Sequence, residues 1–354
     1  MIKAFFYNYF VIGLFLFSIN SFAQLDSLVY NNHYRKHLTL LDTFSGDEDL
    51  YQVCYPKDHK PMFYFIIIFS ITTLVLGIMV IKLKTKSNKK LKEKNSIIEN
   101  QNKDFIDSVN YALRIQQAIL PDTQTIDALL DNGFVLYKPK HIVSGDFYWI
   151  HDIGDIIYIA VIDCTGHGVP GALLTILGHN AINKAIVEKG LKEPTEILDS
   201  MNNDVKNVLK QNQHNTIQDG MEVGLVCYNV ITNHIQFSGA NLSLTCIINS
   251  EVKILDSGKC SVGSVQSENI KLPVTQNIQL NKGDSLYLYT DGYADQFGGP
   301  KGKKYKYKQL EELLKNNSAK SSLEQKDILE TNFNMWKGNL EQVDDVTVIG
   351  ITIK

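Results

Sequence analysis

The chain has 354 residues, 44% of them hydrophobic and 21% charged, with a formal net charge of −3. That length holds one or two domains, and a balance so close to neutral argues against the basic face of a nucleic-acid binder. Five cysteines, Cys54, Cys164, Cys227, Cys246 and Cys260, include no C-x-x-C pair, which argues against a zinc knuckle or a disulfide framework.

Met1–Ala23 reads as a signal peptide. Lys3 precedes an apolar run that ends in small residues suited to cleavage after Ala23. An uncleaved first membrane helix is the alternative. Residues 24–61 then form a short extracytoplasmic segment, too small for an independent sensor domain. Met62–Ile81 carries no charge and is about 20 residues long, enough for one bilayer crossing. Pro61 suits the start of that helix. The run KLKTKSNKKLKEK follows it, which places the downstream side in the cytoplasm. The expectation is a single-pass protein of the inner membrane.

Residues 82–121 read as a helical linker. Within Ser87–Leu120, Leu91, Ile98, Phe105, Ala112 and Ile119 recur every seven residues, with Val109 on a second seam. Asn95, Asn102 and Gln116 interrupt that second seam. A homodimer formed through this helix and a solvated linker both fit the pattern. Pro121 ends it.

From Asp122 to Lys354 strands mix with helices. Asp155–Asp163 predicts a buried strand, and Gly171–Lys189 and Pro194–Asn212 predict helices. Met221–Ile248 predicts a hairpin around the turn ITNH. Gly283–Tyr293 predicts a strand, Tyr307–Asn317 and Ser322–Trp336 helices, and Asp344–Lys354 a last strand. Adjacent strands without strict βαβ alternation point to layered antiparallel sheets. No phosphate-gripping glycine loop is present, which disfavours a kinase or cyclase output domain.

Four acids border apolar strands: Asp146, Asp163, Asp291 and Asp344. Gly145, Gly166 and Gly292 stand close by and let backbone approach a bound ion. Carboxylates buried together repel one another and lose hydration, and these stretches carry no matching set of Arg or Lys. Hard oxygen donors without a zinc-spaced Cys or His pair suit two Mg²⁺ or Mn²⁺ ions. Such a pair activates water against phosphorus without a protein nucleophile. An Asp-Gly is more often a plain turn, and the weight rests on the four acids together.

VSGDFYW (143–149), DCTGHGVPGALLTILG (163–178), YTDGYADQFGG (289–299) and DDVTVIG (344–350) resemble, in order, the signature blocks of the SpoIIE-type PPM phosphatases. These are bacterial relatives of the type-2C serine/threonine phosphatases. DSVNYALRIQQAILP (107–121) resembles the segment that leads into that domain. The resemblance implies an α+β fold, an α-β-β-α sandwich of two mainly antiparallel sheets over 122–354, preceded by the membrane helix and the linker. It implies a centre of two Mn²⁺ or Mg²⁺ ions. Asp163 matches the acid that bridges both ions, the Cys164 backbone carbonyl the next ligand, and Asp291 and Asp344 further ligands. Asp146 acts directly or through water, and Asp345 lies beside the centre. The implied substrate is a regulatory phosphoprotein, such as an anti-sigma-factor antagonist, carrying phosphoserine or phosphothreonine. The alternative is an inactive scaffold of the same fold that binds a partner.

Two departures matter. Eukaryotic relatives carry Asp-Gly-His-Gly, whereas Thr165 holds the histidine's place here and His167 follows two later. His167 therefore reads as a helix-start residue. DGME puts Glu222 where the family often has Asp, which leaves Glu222 and Asp219 open as functional acids. Gly298–Leu310 resembles a segment beside the family's site. Its lysines either steer an acidic phosphoprotein or form a solvated face.

Overall fold

The computed structural model describes residues 60–130, 132–210, 219–264 and 273–354. The expected signal peptide and the outer segment up to residue 59 lie outside them. The chain divides into two units, Met1–Lys92 and Glu93–Lys354.

Where two helices were expected, at Met62–Ile81 and Ser87–Leu120, there is one helix, α1 (Lys60–Ile119). The lysine-rich stretch between them holds no glycine or proline, and its straight-chain residues are good helix formers. This helix is long and apolar enough in its first part to cross a membrane. Its last turns and the short α2 (Thr123–Leu129), N-capped by Asp122 through Thr125 N at 2.7 Å, lead into the sandwich.

The sandwich has two five-stranded sheets, antiparallel throughout. One runs β1 (Gly133–Lys138), β12 (Val346–Thr352), β9 (Ser285–Tyr289), β6 (Leu244–Ile248) and β7 (Glu251–Leu255). The other runs β2 (Asp146–Ile153), β3 (Ile156–Cys164), β4 (Met221–Asn229), β5 (His234–Ala240) and β8 (Gln276–Gln279). Strand periodicity sorts side chains to opposite faces. Ile157, Ile159 and Val161 of β3 join Leu286 and Leu288 of β9 and Ile349 of β12 in the core between the sheets. Tyr158, Ala160 and Ile162 face outward onto α3 (Gly168–Asn183) and α4 (Pro194–Leu209). On the other side Tyr287 and Val348 pack against α6 (Tyr307–Asn317) and α7 (Ser322–Lys337). Both faces of each central strand are covered, which explains their nearly continuous apolar sequence. The layers are α-β-β-α.

Several boundaries differ from expectation. Met221–Ile248 is a hairpin only to Ala240. Asn241 then takes φ 59, and the chain crosses to the other sheet as β6. The helix after Gly168 ends at Asn183 and loosens into a π-turn, Lys184–Glu188. The strand before Asp291 stops at Tyr289, and a four-residue helical turn, α5 (Gly292–Asp295), follows. A two-residue hairpin, β10 (Phe297–Gly298) with β11 (Lys303–Lys304), precedes α6.

Candidate active site

Sheet register builds half of the site. Asp146 on β2 lies opposite Asp163 on β3, and Asp163 lies opposite Glu222 on β4. Directly opposed residues stand about 4.5–5.5 Å apart at Cα. Three carboxylates therefore form a row across three neighbouring strands. The other sheet supplies the rest, with Asp291 just past β9 and Asp344 and Asp345 just before β12.

Threonines tie the halves together. Asp146 Oδ2 accepts from Thr290 Oγ1 at 2.7 Å and from Thr347 Oγ1 at 2.9 Å. Thr347 N in turn donates to Thr290 Oγ1 at 3.0 Å. Tyr137 Oη donates to the Asp146 carbonyl at 3.1 Å. Asp345 is buried, and both its oxygens accept from backbone: Oδ1 from Lys140 N at 2.6 Å, Oδ2 from Gly145 N at 2.7 Å. It holds the loop that delivers Asp146. Asp344 is half-buried, and its Oδ1 accepts from Asp345 N at 2.9 Å.

Backbone closeness explains the glycines. A Cβ on Gly145 or on Gly171 would run into the Gly166 carbonyl oxygen, and Gly166 itself has φ +86. A Cβ on Gly292 would run into the Asp345 carbonyl oxygen. The Cys164 thiol is sunk in the outer core, which leaves its backbone as the part of Cys164 able to serve the site.

The electrostatics are those of acids without a counter-charge. Burial, reinforced by Asp146, Asp291, Glu222 and Asp344, pushes the Asp163 carboxyl far above the usual range. Burial also raises Asp146, with Asp345 and Asp344 adding to it while the two threonine hydroxyls oppose it. Asp291 is pushed up to about 6 by burial and then by Asp344, Asp295 and Glu222, with Lys304 pulling the other way. Burial raises Glu222, and its hydrogen bond from Asn241 Nδ2 at 3.2 Å works against that. The donor set is all oxygen, and none of these four acids forms an ion pair with Lys or Arg among the described residues. That chemistry fits hard divalent cations. Among the described residues no three His, Cys, Asp or Glu side chains already form a closed ligand group. The acids are instead spread along the strand ends.

The structure thus brings Asp146, Asp163, Asp291 and Asp344 to one end of the sandwich, with Asp345 beneath them. It adds Glu222, which the sequence left open, and Thr290 and Thr347, which it did not single out. The threonines were hidden because they are ordinary strand formers. Their signal was a polar residue breaking a buried apolar run next to each acid. His167 stands at the N-cap of α3 without a side-chain cap bond, its ring 4.8 Å from that of His141.

The sequence model of the family described as Stage II sporulation protein E (SpoIIE) matches residues 154–354. The chain belongs to the SpoIIE family. The matched span includes Asp163, Glu222, Asp291 and Asp344, and Asp146 lies just before it. The SiaA-PP2C domain of Pseudomonas aeruginosa is 32% identical with a TM-score of 0.65, over 72% of this chain and 98% of that one. The PP2C phosphatase domain of SpoIIE from Bacillus subtilis, solved with a fragment of its regulatory domain, is 16% identical with a TM-score of 0.50, over 63% of each chain. That second likeness is one of fold. No curated protein matches the sequence. The two-sheet sandwich is the PPM phosphatase fold, and this SpoIIE-family member is of that type.

Proposed function

We propose that this SpoIIE-family chain is a metal-dependent protein serine/threonine phosphatase. The observation that carries the reading is the row Asp146–Asp163–Glu222 on one sheet facing Asp291 and Asp344 from the other, with no ion pair to Lys or Arg among the described residues. Asp163, the Cys164 carbonyl, Asp291 and Asp344 would hold two Mn²⁺ or Mg²⁺ ions, with Asp146 acting directly or through water. Bound ions of this kind polarise phosphoryl oxygens and acidify water for in-line attack on phosphorus. The chain's own part is to fix that set. Thr290 and Thr347 orient Asp146, and Asp345 clamps its loop. The donor set at the sandwich ends is all oxygen, which suits hard divalent cations. The substrate in this reading is a regulatory phosphoprotein carrying phosphoserine or phosphothreonine.

The test is phosphate release from a phosphoserine peptide with Mn²⁺ and with EDTA, beside Asp163→Asn. Release is expected with Mn²⁺ only, falling at least about 100-fold in the variant, equivalent to about 2.7 kcal/mol of transition-state stabilisation. A folded, Mn²⁺-loaded chain that releases no phosphate from any phosphopeptide, and binds a partner instead, would establish the scaffold reading.

The proposal includes anchoring. Phe63–Ile81 is exposed along almost its whole length, and Lys82–Lys94 is rich in lysine. We read this as a single inner-membrane span with the catalytic domain in the cytoplasm. Ile98 and Phe105, both exposed and seven residues apart, suit pairing of two chains along α1. The chain is expected to sediment with membranes, to need detergent rather than high salt for release, and to crosslink as a dimer. Release by salt alone refutes the span, and a detergent-solubilised monomer refutes the pairing.

A further inference from the structure

A cavity of about 320 Å³ opens beside the acidic site. Glu222 and Asp291 line it, so it is continuous with the row of acids. Its remaining wall has a different chemistry. Tyr289 and Tyr307 set two rings 6.3 Å apart at their centroids, and Tyr289 Oη is fixed 2.7 Å from Thr245 Oγ1. Glu311 also lines the cavity, four residues along α6 from Tyr307, so ring and carboxylate share one helix face. No described lining residue is Lys or Arg. Lys304, on the neighbouring hairpin, is paired with Asp295 at 2.7 Å.

The backbone is strained to put Tyr307 there. Lys306 has φ 76 and ψ 146, a conformation that costs a side-chain-bearing residue about 1–3 kcal/mol. The surroundings enforce it. Tyr305 is buried edge-on to Tyr293 and Trp336, Tyr305 N donates to the Gln296 carbonyl at 3.0 Å, and Lys306 N donates to the Ala294 carbonyl at 2.7 Å. Two residues after that buried anchor, Tyr307 is 47% exposed. Lys306 is also the N-cap of α6, its carbonyl accepting from Gln309 N at 3.1 Å and from Leu310 N at 3.3 Å, so the turn that carries Tyr307 is held in place at the cavity wall.

We propose that this cavity takes a basic side chain of the phosphoprotein, arginine before lysine, lying close in sequence to the phosphorylated residue. The inference rests on the phosphatase reading above. A tyrosine face attracts a guanidinium, and its planar fork stacks on an exposed ring such as Tyr307 in a way that a compact ammonium does not. Glu311 supplies the matching carboxylate. Because it lies outside the row of acids, cations held by that row leave its charge available.

The full chain, solubilised with Mn²⁺, is given phosphoserine peptides that differ at one position only. Arg, Lys, Ala or Glu is walked from three residues before the phosphoserine to three after. At one or two positions kcat/KM is expected to be about tenfold higher with Arg than with Ala, and lowest with Glu. Glu311→Gln and Tyr307→Leu, both at partly exposed positions, are each expected to bring the Arg/Ala ratio below about threefold, chiefly through KM. A ratio near one at every position, or one unchanged in both variants, overturns the inference. Fluorescence anisotropy with the same peptides separates it from the reading it rests on. Arg-dependent binding that is lost in Glu311→Gln, without hydrolysis of any peptide, keeps the pocket and removes the phosphatase. Hydrolysis of p-nitrophenyl phosphate and of all peptides alike keeps the phosphatase and removes the pocket.

Discussion

Both oxygens of Asp345 are committed to backbone amides, those of Lys140 and Gly145. Removing the carboxylate leaves two N–H groups without partners under a buried loop, and each costs about 1–3 kcal/mol. Asp345→Ala is therefore expected to lose roughly 2–4 kcal/mol of domain stability in urea unfolding, and Asp345→Asn about half of that, since one carboxamide oxygen still accepts. A loss below about 0.5 kcal/mol in the alanine variant would show that the clamp is not structural. The neighbouring Asp344 keeps only one bond to backbone. Two adjacent aspartates thus divide the work, one tied to the chain and one with an oxygen left for the site.

The end of α1 reaches the same loop from the other side. Gln116 is buried, and its Nε2 donates to the Ser144 carbonyl at 2.7 Å and to Thr175 Oγ1 at 3.1 Å, while Ser144 N donates to its Oε1 at 3.1 Å. Ser144 Oγ accepts from Asp146 N at 3.0 Å. Val109 packs with Val143 and Ala172 one loop away. Gln116→Leu keeps the volume and strands the Ser144 backbone. Mn²⁺ affinity, measured by calorimetry, is expected to weaken about 3–10-fold, and stability to fall by about 1–3 kcal/mol. Unchanged affinity in a folded variant disproves this route to the site. In the sequence, Gln116 looked like a fault in an apolar seam, because a heptad pattern cannot say that the helix meets its own domain. Elements with strong periodicity, such as Tyr307–Asn317, were legible to the residue. The crossover at Asn241 was not, because one left-handed residue leaves no mark on an alternating pattern. The acids were legible because charge beside an apolar strand is rare. Glu222 was in doubt until strand register set it opposite Asp163.

Charge and folding are coupled across the sandwich as a whole. Asp146, Asp163, Asp291 and Glu222 are all raised by burial, so the folded, metal-free domain holds protons that the unfolded chain releases. That stabilisation is complete below the ordinary carboxylate range and is lost as pH rises toward the folded values. With EDTA, the melting temperature is expected to fall as pH goes from about 5 to about 8. Mn²⁺ takes the place of those protons, so its stabilising shift is expected to be larger at the upper pH. A metal-free domain that grows more stable over that interval contradicts the picture of uncompensated acids.

The threonine bridge to Asp146 also sets an order in time. Asp146 and Asp163 are made early, on β2 and β3, while Thr347 lies on β12 and Asp344 just before it, and β12 is the last of the described strands to be made. That strand sits between β1 and β9, joining the first-made strand to the rest of its sheet. A nascent chain from which β12 has yet to emerge therefore lacks a complete first sheet and holds only Asp291 and Thr290 of the second half of its site. A chain cut short before Asp344 would lack that acid, the Asp345 clamp and one of the two threonines that hold Asp146, and is expected to have lost its Mn²⁺ affinity.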